Sequence, residues 1–147
     1  MKFNGDVVIA APQAAVWDYL TDPSKVTQCA PGVQSVAVLS PEKFKVVAGI
    51  GFGMVKVTFD NMVTWSELTA PNKATAKIHG DAAGSAMDAT GTMTLSPAAG
   101  GGTTLHWEAE ITILGQVAAL ASRLMSPMAK QLTGAFFACV RKNVEAP

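Results

Sequence analysis

The sequence has few charged residues. Asp, Glu, Lys and Arg make up 15% of its 147 residues, whereas soluble domains usually contain roughly 25%. The 11 basic and 11 acidic side chains cancel, so no strong electrostatic field favours nucleic acid or anionic lipid as a partner. Because the chain is apolar for its size, it predicts a large core, a lined cavity or an adhesive surface.

Long apolar runs are also missing. No segment reaches the roughly 18 uninterrupted apolar residues of a membrane-spanning helix, and residues 1–6 lack the apolar stretch of a signal peptide. There are two cysteines, Cys29 and Cys139, and without a signal peptide we expect both to stay reduced in the cytoplasm. Cys29 has no histidine beside it in sequence, so we interpret it as a small packing residue rather than a reactive thiol.

The sequence carries no motif of a known catalytic class. It has no nucleophile elbow, zinc-protease helix or phosphate-binding loop. His79 and His106 alternate with apolar residues, and we expect both to lie exposed on the polar sides of strands. We therefore predict no catalytic residue, no metal and no cofactor, and we do not expect an enzyme.

The periodicity of apolar residues predicts the order of the elements. Residues 2–10 form a strand, residues 14–20 and 23–29 two short helices, residues 33–40, 42–49, 52–68, 73–81, 85–96 and 103–113 six strands, and residues 115–144 a long helix. Short turns between consecutive strands favour an antiparallel meander. The fold class is α+β, with one domain over residues 1–147 in which a bent seven-stranded antiparallel sheet wraps around the C-terminal helix.

The long helix has a broad apolar face that Pro127 interrupts. Because proline removes a backbone donor, it predicts a kink; alternatively, Ser126 caps a new helix that begins at Pro127. In either case we expect residues 124–128 to form part of a gate. Phe137 falls on the polar side of the helix, where it either packs on a neighbouring strand or forms an exposed contact for a dimer, a partner enzyme or a bilayer.

The inward positions of the sheet and helix favour a cavity. Many of them are Gly or Ala, which fill little volume, and methionine adapts to apolar ligands of variable shape; a plain core remains the alternative. The residues expected to line the cavity are Phe44, Phe52, Met54, Trp65, Met87, Met93, Trp107, Ala121, Met125, Met128, Leu132 and Phe136. Asn61 either points inward, where a ligand could satisfy it, or a bulge exposes both Asp60 and Asn61.

Several short motifs carry a resemblance to a known family. They are Phe3-x-Gly5, Ala11-Pro12-x-x-x-Val16-Trp17, Asp22-Pro23, Cys29-Ala30-Pro31-Gly32, the glycines Gly80, Gly84 and Gly91, Gly115-Gln116-Val117-Ala118, and Phe136-Phe137. On these residues the chain resembles the carbon monoxide dehydrogenase G-subunit family of the START-like (SRPBCC, helix-grip) superfamily. The Cys-x-Pro-Gly motif is the most specific of them, and the resemblance spans nearly the whole chain.

The resemblance implies a function. START-like proteins bind lipophilic molecules between the sheet and the long helix. The resemblance therefore implies a non-catalytic accessory protein that carries a quinone or lipid for a carbon monoxide dehydrogenase-like molybdenum enzyme. It also implies, as another role, that the protein links this enzyme to the inner face of the membrane. The alternatives are a ligand-free adaptor or maturation factor for the enzyme and, with no acid or base to support it, a START-like cyclase or hydrolase.

The resemblance also implies where the cavity opens. It places the turn at Cys29, Pro31 and Gly32 near the mouth, and the interruption of the helix at Pro127 leads us to expect that this residue also belongs to the mouth. Some members carry an additional C-terminal hydrophobic segment. Since none is present before Pro147, we expect no autonomous membrane anchor.

Overall fold

The structure, a computed structural model, describes residues 1–145. Its elements are β1 (Lys2–Ile9), α1 (Gln13–Thr21), α2 (Pro23–Val26), β2 (Val33–Ser40), β3 (Lys43–Phe52), β4 (Val55–Thr69), β5 (Lys73–Ala82), β6 (Ser85–Pro97), β7 (Thr103–Gly115) and α3 (Ala118–Val144), with a short 3-10 turn at Ala99–Gly101. All neighbouring strands pair antiparallel in the order β1-β7-β6-β5-β4-β3-β2. The predicted fold class is confirmed.

Helix α3 is anchored to the inner face of the sheet near both of its ends. Near its N-terminus, Ala121 and Met125 are buried in a cluster with Phe52 and Phe59. Near its C-terminus, Val140 is buried in a second cluster that combines β1, β7 and α1. Residues 129–135 belong to neither cluster, so the middle of the helix is not sealed against the sheet.

A disulfide joins Cys29, in the loop after α2, to Cys139 of α3, with the two Cα atoms 5.4 Å apart. The expectation that both cysteines stay reduced is therefore wrong. Cys29 is buried, and its Sγ lies 3.2 Å from the hydroxyl of Tyr19. The amide of Asn143 in turn donates to that hydroxyl at 2.8 Å, so polar contacts from α1 and α3 surround the bond.

Pro127 lies inside a continuous helix. The alternative in which Ser126 caps a second helix is wrong, because α3 runs unbroken from Ala118 to Val144. Pro127 is exposed, which explains why the helix tolerates it on its solvent side. The gate at residues 124–128 stays a prediction. No helix within residues 1–145 is both long and apolar enough to cross a membrane.

The two edges of the sheet differ. On β1, the guanidinium of Arg141 donates to the carbonyl of Val8 at 3.0 and 3.1 Å, and the carboxylate of Glu145 accepts from the backbone N–H of Ala10 at 2.8 Å. The C-terminal part of α3 therefore covers this edge. Strand β2 at the other edge contains no charged residue, and Val38 on it is 59% exposed.

Candidate ligand-binding grooves

An apolar groove lies between the C-terminal half of α3 and the inner face of β4–β7. We call it the aromatic groove. It has a volume of about 310 Å³, and apolar atoms form nearly all of its lining. Its residues are Leu20, Val26, Trp65, Ala74, Ala76, Gly91, Thr92, Met93, Leu105, Trp107, Glu108, Ala109, Thr133, Phe136 and Phe137.

The floor of the aromatic groove consists of small residues. Ala76, Gly91 and Ala109 lie opposite one another on β5, β6 and β7. A Cβ atom on Gly91 would have no other atom within 4 Å. The groove is therefore deep here because its floor residues have small side chains. A larger side chain at Gly91 would extend into the groove.

Aromatic side chains form the walls. The rings of Trp107 and Phe137 lie 6.5 Å apart, and Phe136 and Phe137 meet edge to face at 5.1 Å. All three side chains are half-buried, so the groove opens to solvent. Gly5 leaves room for the indole, because a Cβ atom there would lie 2.8 Å from Nε1 of Trp107. Phe137 thus packs on a strand residue, which confirms the first alternative for it.

Two further clefts flank the middle of α3. The first, which we call the proline cleft, has a volume of about 380 Å³ and is lined by Pro31, Gly49, Ile50, Gly51, Met128, Gln131, Leu132 and Ala135. The second, the β1 cleft, has about 390 Å³ and is lined by Lys2, Phe3, Asn4, Trp107, Ser126, Ala129, Lys130 and Thr133. Since Trp107 and Thr133 also line the aromatic groove, the β1 cleft continues it along the helix.

The disulfide joins two segments that both contribute residues to the aromatic groove and to the proline cleft. Three residues before Cys29, Val26 lines the groove, and two residues after it, Pro31 lines the cleft. On α3, Phe136 lines the groove and Ala135 lines the cleft, and both precede Cys139. The covalent bond therefore holds residues 26–31, which contribute to both openings, against the helix.

The structure places the predicted site residues in two openings and two core clusters. Trp65, Met93, Trp107 and Phe136 line the aromatic groove, and Met128, Leu132 and Pro31 line the proline cleft. Phe52, Met87, Ala121 and Met125 pack in the core cluster at the N-terminal end of α3, and Phe44 packs in a third cluster with Val46, Ala48 and Val63. As ligand contacts, all of them stay predictions.

Some predicted positions do not face the cavity. Met54 is fully exposed at the turn between β3 and β4, so placing it among the inward residues is wrong. Cys29 is buried beneath the predicted mouth. Gly32 has a φ of +72°, and a Cβ atom there would overlap the carbonyl of Gly49; the glycine lets the loop approach β3. Pro127 lines neither groove nor cleft.

Sequence reasoning did not find Leu20, Val26 or Thr133 as lining residues. Leu20 and Val26 belong to the α1–α2 region. The alternation of apolar and polar residues along a strand does not indicate where that region contacts the sheet. Thr133 lies on the part of α3 that avoids both core clusters. The only sequence feature that could have indicated Thr133 as a lining residue is that it is polar and lies between apolar positions of the helix.

Asn61 lies on the inner face of β4 and is 8% exposed. Its Nδ2 donates to the carbonyls of Val46 at 3.0 Å and Phe59 at 3.3 Å. Its Oδ1 is buried and has no hydrogen-bond partner within residues 1–145. The register is unbroken through Asp60 and Asn61, and Asp60 is exposed near Lys45. The inward alternative for Asn61 is therefore confirmed.

The two histidines lie on the outer face of the sheet. Nδ1 of His79 lies 2.7 Å from Asp88, and Nδ1 of His106 lies 2.8 Å from Asp6. The hydrogen bond that the ring of His79 donates to the carboxylate of Asp88 raises the pKa of His79, and the one that His106 donates to Asp6 raises the pKa of His106. Both side chains are well exposed, as predicted.

No cluster of His, Cys, Asp and Glu suited to a metal ion occurs in the described part of the chain.

Comparison with known proteins decides the family. The family model for the G subunit of carbon monoxide dehydrogenase (CoxG) matches residues 5–145. The chain belongs to this family. No match was found among curated proteins.

Several solved structures have the same fold as this CoxG protein. A conserved protein from Geobacillus kaustophilus is 26% identical, with 98% of this chain and 95% of that one covered and a TM-score of 0.90. The Zhui aromatase/cyclase from Streptomyces sp. R1128 is 14% identical over 99% and 93%, with a TM-score of 0.75. A START superfamily protein from Mycobacterium smegmatis is 13% identical over 98% and 97%, with a TM-score of 0.71. The last two show the fold alone, and that fold is START-like.

Proposed function

We propose that this CoxG protein is a non-catalytic carrier that holds a lipophilic molecule, a quinone or an acyl-chain lipid, in the aromatic groove. The observation that supports it is the groove itself: half-buried aromatic walls over a floor of Ala76, Gly91 and Ala109. Apolar concave sites with few polar groups are typical of small-molecule binding. Each Å² of apolar surface that a ligand buries there contributes roughly 25 cal/mol, less the cost of association.

The size of the groove indicates how such a ligand lies. Its volume of about 310 Å³ is at the lower limit of the roughly 300–1,000 Å³ of ligand pockets, so it suits a ring or one segment of a chain. The β1 cleft continues it past Trp107 and Thr133. A long isoprenoid or acyl chain could therefore follow α3 from Phe137 towards β1.

Family membership supports a partner enzyme. We propose that the carrier serves a carbon monoxide dehydrogenase-like molybdenum enzyme and contacts the membrane peripherally to exchange its ligand. The cytoplasmic location stays a prediction from the sequence, and the disulfide bears on it, because such bonds are more usual in oxidising compartments.

The carrier function can be tested by filling the groove. The quenching of tryptophan fluorescence by a short-chain quinone reports binding beside Trp65 and Trp107. Gly91→Leu places a side chain in the recess, and we expect it to weaken binding at least tenfold while the protein still unfolds cooperatively. Gly134→Leu is the matched control, because Gly134 is exposed on α3 and also has no atom near its Cβ position. Unchanged binding by Gly91→Leu would remove the groove as the site.

A second candidate, the adaptor function, is favoured by the exposed edge at β2. An exposed, uncharged edge strand offers backbone hydrogen bonds to another chain. Val38→Lys should weaken binding to the partner enzyme if that edge is the docking surface. Val8→Lys is the matched control, since Val8 is 56% exposed but lies on the covered edge. Equal binding by both variants and wild type would exclude β2 as the contact.

A further inference from the structure

Asn61 differs from the other buried polar side chains. Thr103 and Ser85 are also buried, and each is satisfied: Thr103 donates to the carbonyl of Ala11 at 2.8 Å, and Ser85 accepts from the N–H of Val117 at 3.3 Å. Oδ1 of Asn61 alone is buried without a partner within residues 1–145. Leaving such an acceptor unpaired destabilises the folded state, so the position calls for a donor.

The orientation of the amide is determined by its neighbours. Both contacts of Nδ2 are backbone carbonyls, those of Val46 and Phe59, and a carbonyl can only accept. Rotating the amide by half a turn would place Oδ1 against these two acceptors and lose both hydrogen bonds. The NH₂ group therefore faces β3 and its own strand, and the free acceptor faces away from them.

The free acceptor occupies the space that a side chain on Gly80 of the neighbouring strand β5 would take. Asn61 and Gly80 are direct partners in the register, and a Cβ atom on Gly80 would overlap Oδ1. Cε of Met87 lies 3.5 Å from the same position. Met87 therefore packs near Oδ1, and an unbranched methionine side chain can adopt other rotamers at low cost.

Asn61 lies on the same strand face as a wall of the aromatic groove. The inner face of β4 presents Asn61, Val63 and Trp65 in turn, and Trp65 lines the groove. Four residue steps along a strand span about 13 Å. An extended apolar molecule of that length, with its body against Trp65, would place one end at Oδ1.

We propose that Oδ1 of Asn61 accepts a hydrogen bond from a hydroxyl or N–H group of the bound ligand, with Met87 moving aside. This inference rests on the proposed carrier function and narrows its ligand class. The preferred ligand is an apolar molecule that carries a hydrogen-bond donor, such as a long-chain alcohol or a hydroquinone. Molecules that can only accept, such as an ether or the oxidised quinone, leave Asn61 unpaired and bind less tightly.

The test compares 1-decanol with its methyl ether, each displacing the quenching quinone from the full-length protein. The ratio of the two dissociation constants is measured for wild type and for Asn61→Leu, which removes the acceptor at similar size. Because a neutral hydrogen bond contributes about fivefold in affinity, we expect the preference for the alcohol to fall about fivefold in the variant. Asn61→Ala gives the same comparison if Asn61→Leu does not fold.

The outcomes separate this inference from the carrier function. If both probes bind and their ratio is the same in wild type and variant, Asn61 does not contact the ligand and the inference is wrong, while the carrier function stands. If neither probe displaces the quinone, the inference is wrong for these ligands. If wild type binds neither the quinone nor a lipid from vesicles, both proposals are wrong.

Discussion

Removing the Cys29–Cys139 disulfide should destabilise the protein by several kcal/mol. The bond joins positions 110 residues apart, and closing a loop of that length removes entropy worth about 4.8 kcal/mol from the unfolded chain. Measured losses for native disulfides are roughly 2–5 kcal/mol, and we expect the loss here to lie in that range. For a domain of this size, each kcal/mol corresponds to about 3 °C in Tm.

The assay is urea unfolding of three samples: the oxidised protein, the protein reduced with dithiothreitol, and the double variant Cys29→Ala/Cys139→Ala. The reduced protein and the variant should both unfold at lower urea than the oxidised protein. Alkylation in denaturant, followed by mass spectrometry, should add two alkyl groups only after reduction. Two alkyl groups without reductant would show that the bond does not form, and a midpoint that dithiothreitol leaves unchanged would show that it does not stabilise the protein.

Three further predictions each concern the surroundings of a single residue. Asp88→Asn should lower the pKa of His79, measured by NMR, towards the ordinary 6.5, because Asp88 raises it. The stabilisation that the raised pKa gives the folded protein is complete below about pH 6.5. It is lost as the pH rises through the folded-state pKa. Gly5→Ala should lower the free energy of unfolding by roughly 1–3 kcal/mol, because its Cβ would lie 2.8 Å from Nε1 of Trp107; an unchanged value would show that the indole shifts freely. Gly134→Ala should raise the free energy of unfolding by roughly 0.8–1 kcal/mol, since its Cβ meets nothing within 4 Å, and a lower midpoint would contradict this.

The strand order could be predicted from the sequence because its signals are local. On β7, Leu105 and Ile113 are buried while Glu108 between them is exposed, and this alternation marks both the strand and its inner face. The predicted continuous strand over residues 52–68 was wrong at Met54, because the chain turns there after Gly53, which has a φ of +66°. The strand pattern continues there in sequence, although the chain turns.

The features that sequence could not locate depend on contacts between distant residues. Nothing near Cys29 or Cys139 indicates that folding brings them together, because α3 must first dock on β1 and β7. Phe137 lies off the apolar stripe of the helix, and its burial depends on Trp107 reaching across from β7. The candidate groove was therefore predictable in kind, as apolar space beside the long helix, but not in position.

The most direct test of the carrier function is native mass spectrometry of the protein as purified, compared with Gly91→Leu prepared in parallel. We predict that wild type carries a stoichiometric lipophilic molecule, released by solvent extraction, and that Gly91→Leu is largely empty while Gly134→Leu retains it. Wild-type protein that is repeatedly empty and takes up no quinone or lipid from vesicles would contradict the account.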